Sequence, residues 1–293
     1  MSLTPAEYRI IVAVDGSAAS NAAVEWAARE AVMRAASVTL THVIEPVVVS
    51  WPIAPMQGSI TEWQQENADQ VIAQAQEIFV TNIDEAQRRT VHIDVKAGIA
   101  VSELTKASTD AQMVVVGSQG MGAFERAILG SVSRGLLHHA HCPVAVVHAD
   151  ESRAVATTSS VLLGIDGSPA SEGATALAFD EASRRGVDLV ALHAWSDVPV
   201  FPIFGMDWRR YEDEGHEVLG ERLAGWNEKY PDVHVHRRIV CDEPARWLVE
   251  ESRQAQLVIV GSHGRGGFTG MLLGSVSSAV AQAARVPVIV VRG

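Results

Sequence analysis

The sequence predicts an α/β protein built of two tandem, doubly wound, open parallel-sheet domains, each a five-stranded Rossmann-like unit. Three observations carry this expectation. The chain has 293 residues, enough for two domains of about 100–200 residues each. Its two halves repeat one another. Within each half, short apolar runs alternate with segments of helical spacing, the pattern of βαβ units, whose crossovers are right-handed and whose sheets are parallel.

The repeat is read directly. Ile11-Val-Ala-Val-Asp-Gly-Ser17 returns as Leu162-Leu-Gly-Ile-Asp-Gly-Ser168, and His42 returns as His193 at the same spacing. Further along, Gly117-Ser-Gln-Gly-Met-Gly122 returns as Gly261-Ser-His-Gly-Arg-Gly266, and Ile128-Leu-Gly-Ser-Val-Ser133 as Leu272-Leu-Gly-Ser-Val-Ser277. These later matches lie closer together, so the second half is shorter by about seven residues between its first His and its Gly-rich segment. One period spanning half the chain is a duplicated domain rather than a solenoid. The domains are expected at 1–150 and 151–293, joined through the polar, Ser/Thr-rich stretch Ala149–Ser159.

The elements of the first half follow in order. Arg9–Val14 is a short, almost wholly apolar run, as suits a parallel strand covered on both faces. Ser17–Ala36 has helical spacing, with Val24, Ala27, Ala28, Ala31 and Val32 on one face and Glu25, Arg29 and Arg34 off it. Val38–Val43 is expected as a strand, Thr61–Arg88 as a long helix, Val91–Val95 as a strand and Val101–Thr109 as a short helix. Met113–Val116, Ser131–Ala140 and Val144–Val147 complete the half as strand, helix and strand. The second half repeats the series and ends in Val286–Val291. Ligands of such sheets sit beyond the carboxyl ends of the strands, where the strand order reverses.

Composition narrows the function. Apolar residues make up 47% and charged residues 20%, as in ordinary globular proteins. A net charge of −12 argues against a nucleic-acid binder, whose affinity rests on Lys and Arg against phosphates. A small anionic ligand can still be held by backbone amides. Cys142 and Cys241 form no Cys-x-x-Cys pair, which suits a reducing compartment. With no leader-like segment at Met1–Asp15 and no run of 18 apolar residues, a cytoplasmic protein away from membranes is expected.

The strongest chemical signal follows the fourth strand: Gly117-x2-Gly120-x9-Gly130-Ser131, repeated as Gly261-x2-Gly264-x9-Gly274-Ser275. Glycines permit positive φ and a close approach of ligand to main chain. Gly-Ser then opens a helix whose first amides are unpaired and whose dipole favours an anion. Ser131 and Ser133 are expected to add hydroxyl donors, making a phosphate cradle without lysine. The bland alternative, glycines that only build tight turns, is weakened by two copies with identical spacing. No Gly-x4-Gly-Lys-Ser/Thr is present, and neither loop completes a Gly-x-Gly-x2-Gly after a first strand, so P-loop and dinucleotide fingerprints are disfavoured.

An Asp closing the first strand, the Gly-x2-Gly-x9-Gly-Ser loop and a last strand entered through Pro143-Val or Pro287-Val together resemble the universal stress protein family across essentially the whole chain. The run Gly261-Ser-His-Gly-Arg-Gly-Gly-Phe-x-Gly-x-Leu-Leu-Gly-Ser-Val-Ser277 is similar to its ATP-binding subgroup. The tandem arrangement with His138-His-Ala-His-Cys-Pro143 resembles duplicated actinobacterial members tied to hypoxia and dormancy. The resemblance implies ATP with Mg2+, up to two per chain. It places Asp15 and Asp166 near ribose or magnesium, Ala13 and Gly164 beside the base, and Val43 and Ala194 against adenine. In the first half Gly117, Ser118, Gly120, Met121, Gly122, Gly130, Ser131, Val132 and Ser133 would hold ribose and phosphates. In the second, Gly261, Ser262, Gly264, Arg265, Gly266, Gly274, Ser275, Val276 and Ser277 would do so. Gln119 and Met121 depart from the His-x-Arg that the second half keeps as His263 and Arg265, which would weaken the first site if that Arg neutralises phosphate.

Other signals weigh less. His138, His139, His141 and Cys142 have metal-ligand character, but His also suits a helix C-terminus, and Gln282-Ala-Ala-Arg-Val286 keeps none of it; no metal site is assigned. Asp15 and Asp166 have a second reading as helix N-terminal acids. His42 and His193 are read as structural, and no catalytic residue is assigned. Pro46–Ile60 and Asp197–Trp208 are read either as lids or as variable loops. Three functions remain: a nucleotide-dependent regulator with a protein partner, a slow ATPase or phosphoryl- or nucleotidyl-transfer enzyme, and a nucleotide-free scaffold. The apolar last strands Val144–Val147 and Val286–Val291 would be unprotected edges if left alone, and the family resemblance implies pairing of the two halves, or a homodimer, through them.

Overall fold

The computed structural model describes residues 9–46, 57–83, 91–120, 129–149, 158–168, 171–195, 208–264 and 273–292. The chain divides into two compact units, Met1–Ala149 and Asp150–Gly293.

The first unit runs β1 (Arg9–Ala13), α1 (Ala18–Arg34), β2 (Ser37–Ile44), α2 (Gln57–Thr81), β3 (Val91–Ala97), α3 (Ala100–Ala107), β4 (Met113–Gly117), α4 (Ser131–His139) and β5 (Val144–Val147). Its strands lie in the order β3-β2-β1-β4-β5, all parallel. The interior strands are Val/Ile/Leu-rich and buried almost throughout, because helices cover both faces. The order reverses between β1 and β4, and that gap at the carboxyl ends is where such a sheet leaves a crevice.

The second unit repeats the plan: β6 (Ser160–Gly164), α5 (Glu172–Arg185), β7 (Leu189–Ala194), α6 (Trp208–Leu223), α7 (Trp226–Lys229), β8 (Val235–Val240), α8 (Pro244–Glu251), β9 (Ala255–Gly261), α9 (Ser275–Ala283) and β10 (Val288–Val291). The order is β8-β7-β6-β9-β10, again parallel.

Three expectations need correction. Helix α2 ends at Thr81 rather than Arg88, because Asn82 turns its side-chain amide back to the Ile78 carbonyl at 2.9 Å and closes the last turn. Arg34 is not off the buried face of α1: its Nε lies 3.4 Å from Glu30 Oε2, and both side chains are almost wholly enclosed. Arg185 and Glu181 make the same enclosed pair at 3.0 Å in α5. Finally, the described glycines of the Gly-rich loops, Gly117, Gly120, Gly130, Gly261, Gly264 and Gly274, do not use positive φ. Among the described glycines it occurs instead at Gly16 (φ 83) and Gly167 (φ 78), just after each strand-end Asp, and at Gly98, Gly186 and Gly225.

Candidate functional site

The site of the first unit grows from three chain segments that meet at the carboxyl ends of β1, β2 and β4. Beyond β1 the chain turns sharply at Asp15-Gly16-Ser17. Asp15 Oδ1 accepts the Ser17 N–H at 2.9 Å, and its own N–H donates to Ser20 Oγ at 3.2 Å. Ser17, not Asp15, caps α1: its side chain accepts from the Ser20 N–H. The carboxylate is thereby freed from the capping role, and its second oxygen faces the loop after β4. A Cβ on Gly120 would lie 2.8 Å from Asp15 Oδ2, so Gly120 is glycine because the carboxylate occupies that space.

The loop after β4 is pinned at its base. The Gly130 N–H donates to the Ser118 carbonyl at 2.8 Å, and the Ser118 N–H donates to Val147 at 2.7 Å. Ser133 Oγ donates to the Gly117 carbonyl at 2.6 Å from a buried position. This corrects the expectation of two hydroxyl donors: the α-helical register turns Ser133 inward as a brace, while Ser131 is exposed at the first turn. Gly117 has a further duty, since a Cβ there would meet the α1 backbone at 2.6 Å.

Helix α4 begins at Gly130 with no side-chain cap and no acidic residue in its first turn. Its first amides are therefore unmatched by the chain and carry the positive end of the helix dipole. They open onto a cavity of about 200 Å³. Ala13, Asp15 and Val43 line it, as do Gly117, Gly120 and the run Gly130, Ser131, Val132 and Ser133. Ser118 stands behind that wall, buried. Sequence reasoning missed Thr41, Ala100 and Leu104, which also line it; their signal was position alone, next to Val43 and on the short helix after β3. His42 lines the cavity too, with Nδ1 2.8 Å from the Val14 carbonyl. A carbonyl only accepts, so Nδ1 carries the proton. His193 makes the same 2.8 Å contact with Ile165.

The second unit repeats the frame, with two differences: the Ser277 brace meets the Ser262 carbonyl, one residue beyond the counterpart of Gly117, and α5 has no side-chain cap. Asp166 Oδ1 accepts from Ser168 N–H at 3.0 Å and from its hydroxyl at 2.7 Å. A Cβ on Gly264 would fall 2.7 Å from Asp166 Oδ2. The Gly274 N–H donates to the Ser262 carbonyl at 2.7 Å, and Ser277 Oγ donates to Ser262 and Gly274 carbonyls. Helix α9 starts at Gly274 with neither a side-chain cap nor an early acid, and Ser275 and Val276 form its first turn. Ala194 is buried at the end of β7 and Gly261 closes β9. One expectation fails here. Gly164 does not leave room beside a base, because Leu248 and Val260 side chains already stand 3.0 Å from where its Cβ would be.

Met121, Gly122, Arg265 and Gly266 lie outside the described residues, as do 47–56 of the first proposed lid and 197–207 of the second. Among the described residues no group of three His, Cys, Asp or Glu is arranged to hold a metal ion. Burial pushes the Cys142 thiol up to about 12, which leaves it unreactive. No described helix is long and apolar enough to cross a membrane.

Two parallel, doubly wound α/β units, each with an Asp-Gly-Ser turn facing a pinned Gly-rich loop and an uncapped helix start, define a tandem α/β protein of the doubly wound class. The chain belongs to the universal stress protein family, whose model matches residues 8–148 and again 158–292. A universal stress protein of Mycolicibacterium smegmatis is 58% identical over 286 residues, covering 98% of this chain and 97% of its own. One from Mycobacterium tuberculosis is 49% identical over 293 residues, 100% of this chain and 99% of its own. The crystal structure of a universal stress protein from Archaeoglobus fulgidus shares the fold at a TM-score of 0.70 and 23% identity, over 97% of this chain and 96% of that one.

Proposed function

We propose that each unit binds an adenine nucleotide, ATP in the first instance, and that the bound state regulates a protein partner under stress such as hypoxia or dormancy. The observation that carries this reading is the wall of the first cavity. An uncapped, acid-free helix start supplies amides for phosphate, and apolar β-strand ends supply a slot for a base. Magnesium fits the donor set. It keeps most of its waters and takes one or two carboxylates plus substrate phosphates, and Asp15 presents one oxygen toward the loop while the other is held by Ser17. Asp166 would serve the second unit in the same way.

A binding module is favoured over an enzyme by how the cavity's polar groups are already engaged. Asp15 Oδ1 accepts from backbone, the His42 Nδ1 proton goes to a carbonyl, and the Ser133 hydroxyl braces the loop. In the first cavity, among the described residues, no base is hydrogen-bonded to a hydroxyl, the pairing that nucleophilic catalysis calls for; in the second unit Ser262 Oγ lies 2.9 Å from His263 Nδ1 and the Ser168 hydroxyl donates to Asp166 Oδ1 at 2.7 Å. Regulation then requires that a partner bind the loaded and empty forms with different affinity.

The test begins with protein purified without added nucleotide, then denatured, with released nucleotides quantified by chromatography. Nucleotide approaching two per chain, lost from the Asp15→Ala, Asp166→Ala double variant, is the expected result. None, even after soaking in millimolar ATP with magnesium, would overturn the reading. Turnover of ATP above the spontaneous rate, abolished in the same variant, would replace the regulator with an ATPase.

A further inference from the structure

The wall of the first cavity contains a hydroxyl that the fold does not use. Among the described residues two buried side-chain oxygens have no hydrogen-bond partner, Thr41 Oγ1 and Thr105 Oγ1. Thr105 is not in the cavity wall; Thr41 is, at 1% exposure. Buried hydroxyls are nearly always paired, because an unpaired one carries its full desolvation penalty. The strand register places Thr41 directly opposite Ala13 on β1. Neighbours so paired in a parallel sheet project to the same face, and both line the cavity with Leu104 of α3.

The repeat supplies the comparison. In the second unit the partner of Gly164 in the same register is Leu192, buried at 1%. An isobutyl group therefore satisfies this place in the fold, and packing does not explain a hydroxyl. The strand around it points the same way: Val38, Leu40 and Val43 are apolar, and Thr39, the other threonine of β2, is within 3.4 Å of Arg9 Nε.

We infer that the Thr41 hydroxyl is a ligand contact particular to the first unit, made to the polar edge of the base. The inference rests on the nucleotide reading above. Thr41 stands beside Ala13 and two residues before Val43, at the strand-end wall, away from the amides of α4 that suit phosphate. A ring nitrogen or amino group there gives the hydroxyl the partner that the chain withholds. The second unit has Leu192 at this place, so a base held there is met by an isobutyl group instead of a hydroxyl.

The test uses the full chain with Thr41→Val, which keeps the shape and the β-branched strand preference and replaces the hydroxyl with a methyl. Calorimetric titrations with ATP and with adenosine are run in the unmodified background and in Gly264→Asp, which disables the second loop. The expected result is affinity of the first unit about five- to tenfold weaker for both ligands, together with a nucleotide-free melting temperature that holds or rises. Equal affinity, or a loss for ATP but not adenosine, would overturn the base contact. A fall in the nucleotide-free melting temperature would show that the hydroxyl serves the fold. If the parent chain binds neither ATP nor adenosine, the nucleotide reading itself fails and this inference with it.

Discussion

At the scale of single residues, the two loop glycines of the first unit answer to different neighbours. A methyl on Gly117 would strike the α1 backbone at 2.6 Å, whereas a methyl on Gly120 would strike only the Asp15 carboxylate at 2.8 Å. Backbone cannot step aside; a side-chain oxygen can, at the expense of its aim. Gly117→Ala is therefore expected to cost about 1–3 kcal/mol of stability, visible in the urea midpoint. Gly120→Ala should leave that midpoint nearly unchanged and weaken ATP instead. Equal losses of stability in both would contradict this division. The positions of these glycines were legible from spacing, but their reason was not. Sequence suggested positive φ, while the structure assigns positive φ to Gly16 and Gly167 and close approach to the loop glycines. Ser133 was misread for a similar cause: a hydroxyl near a helix start reads as a donor to ligand, and only the helical register shows it turned to the Gly117 carbonyl. Thr41 was passed over because a threonine in a strand is unremarkable by propensity; its signal was the alignment with Leu192.

At the scale of elements, alternating apolar and helical segments were enough to order every strand and helix of the first unit, because parallel strands buried on both faces leave near-continuous apolar runs. The misassigned face of α1 shows where that reasoning stops. Charged residues were placed outward by rule, yet Glu30 and Arg34 neutralise each other inside, as do Glu181 and Arg185; a Glu-x3-Arg repeated in both halves was the readable trace. The helix ends carry a further comparison. Helix α1 closes on Ala35 in the left-handed region at φ 50, and α5 closes on Gly186 at φ 63. The same cap thus holds an alanine in one unit and a glycine in the other, and a left-handed alanine is strained by roughly 1–2 kcal/mol. Glycine loses more chain entropy on folding, which offsets part of the relief. Ala35→Gly should raise stability by about 0.5–1 kcal/mol, read from the chemical denaturation midpoint. Gly186→Ala should lower it by a similar amount, since nothing lies within 4 Å to obstruct a methyl there. A destabilised Ala35→Gly would mean that the strain is relieved in some other way.

At the scale of the whole molecule, duplication gives two units with one frame and different side chains around it. The shared parts are backbone and carboxylate: the pinned loop, the uncapped helix and the strand-end Asp recur with matching hydrogen bonds. The differences are in side chains, with Gln119 and Met121 against His263 and Arg265 in the loops, and Thr41 against Leu192 in the strands. A guanidinium near phosphate adds a charge-assisted bond that an amide cradle lacks. It strengthens binding of ATP but is indifferent to adenosine. The second unit is thus expected to hold ATP more tightly than the first, and Met121→Arg to narrow the gap. Hydrogen exchange read by mass spectrometry separates the units within one intact chain. As ATP is raised, the first-turn amides of α9, Ser275–Ser277, should gain protection at lower concentration than those of α4, Ser131–Ser133. In Met121→Arg the α4 amides should respond at several-fold lower ATP, with adenosine responses unchanged. If the amides of both helices respond together in the parent chain, the loop side chains contribute nothing to affinity. The backbone cradle, which both units share, would then account for phosphate binding alone.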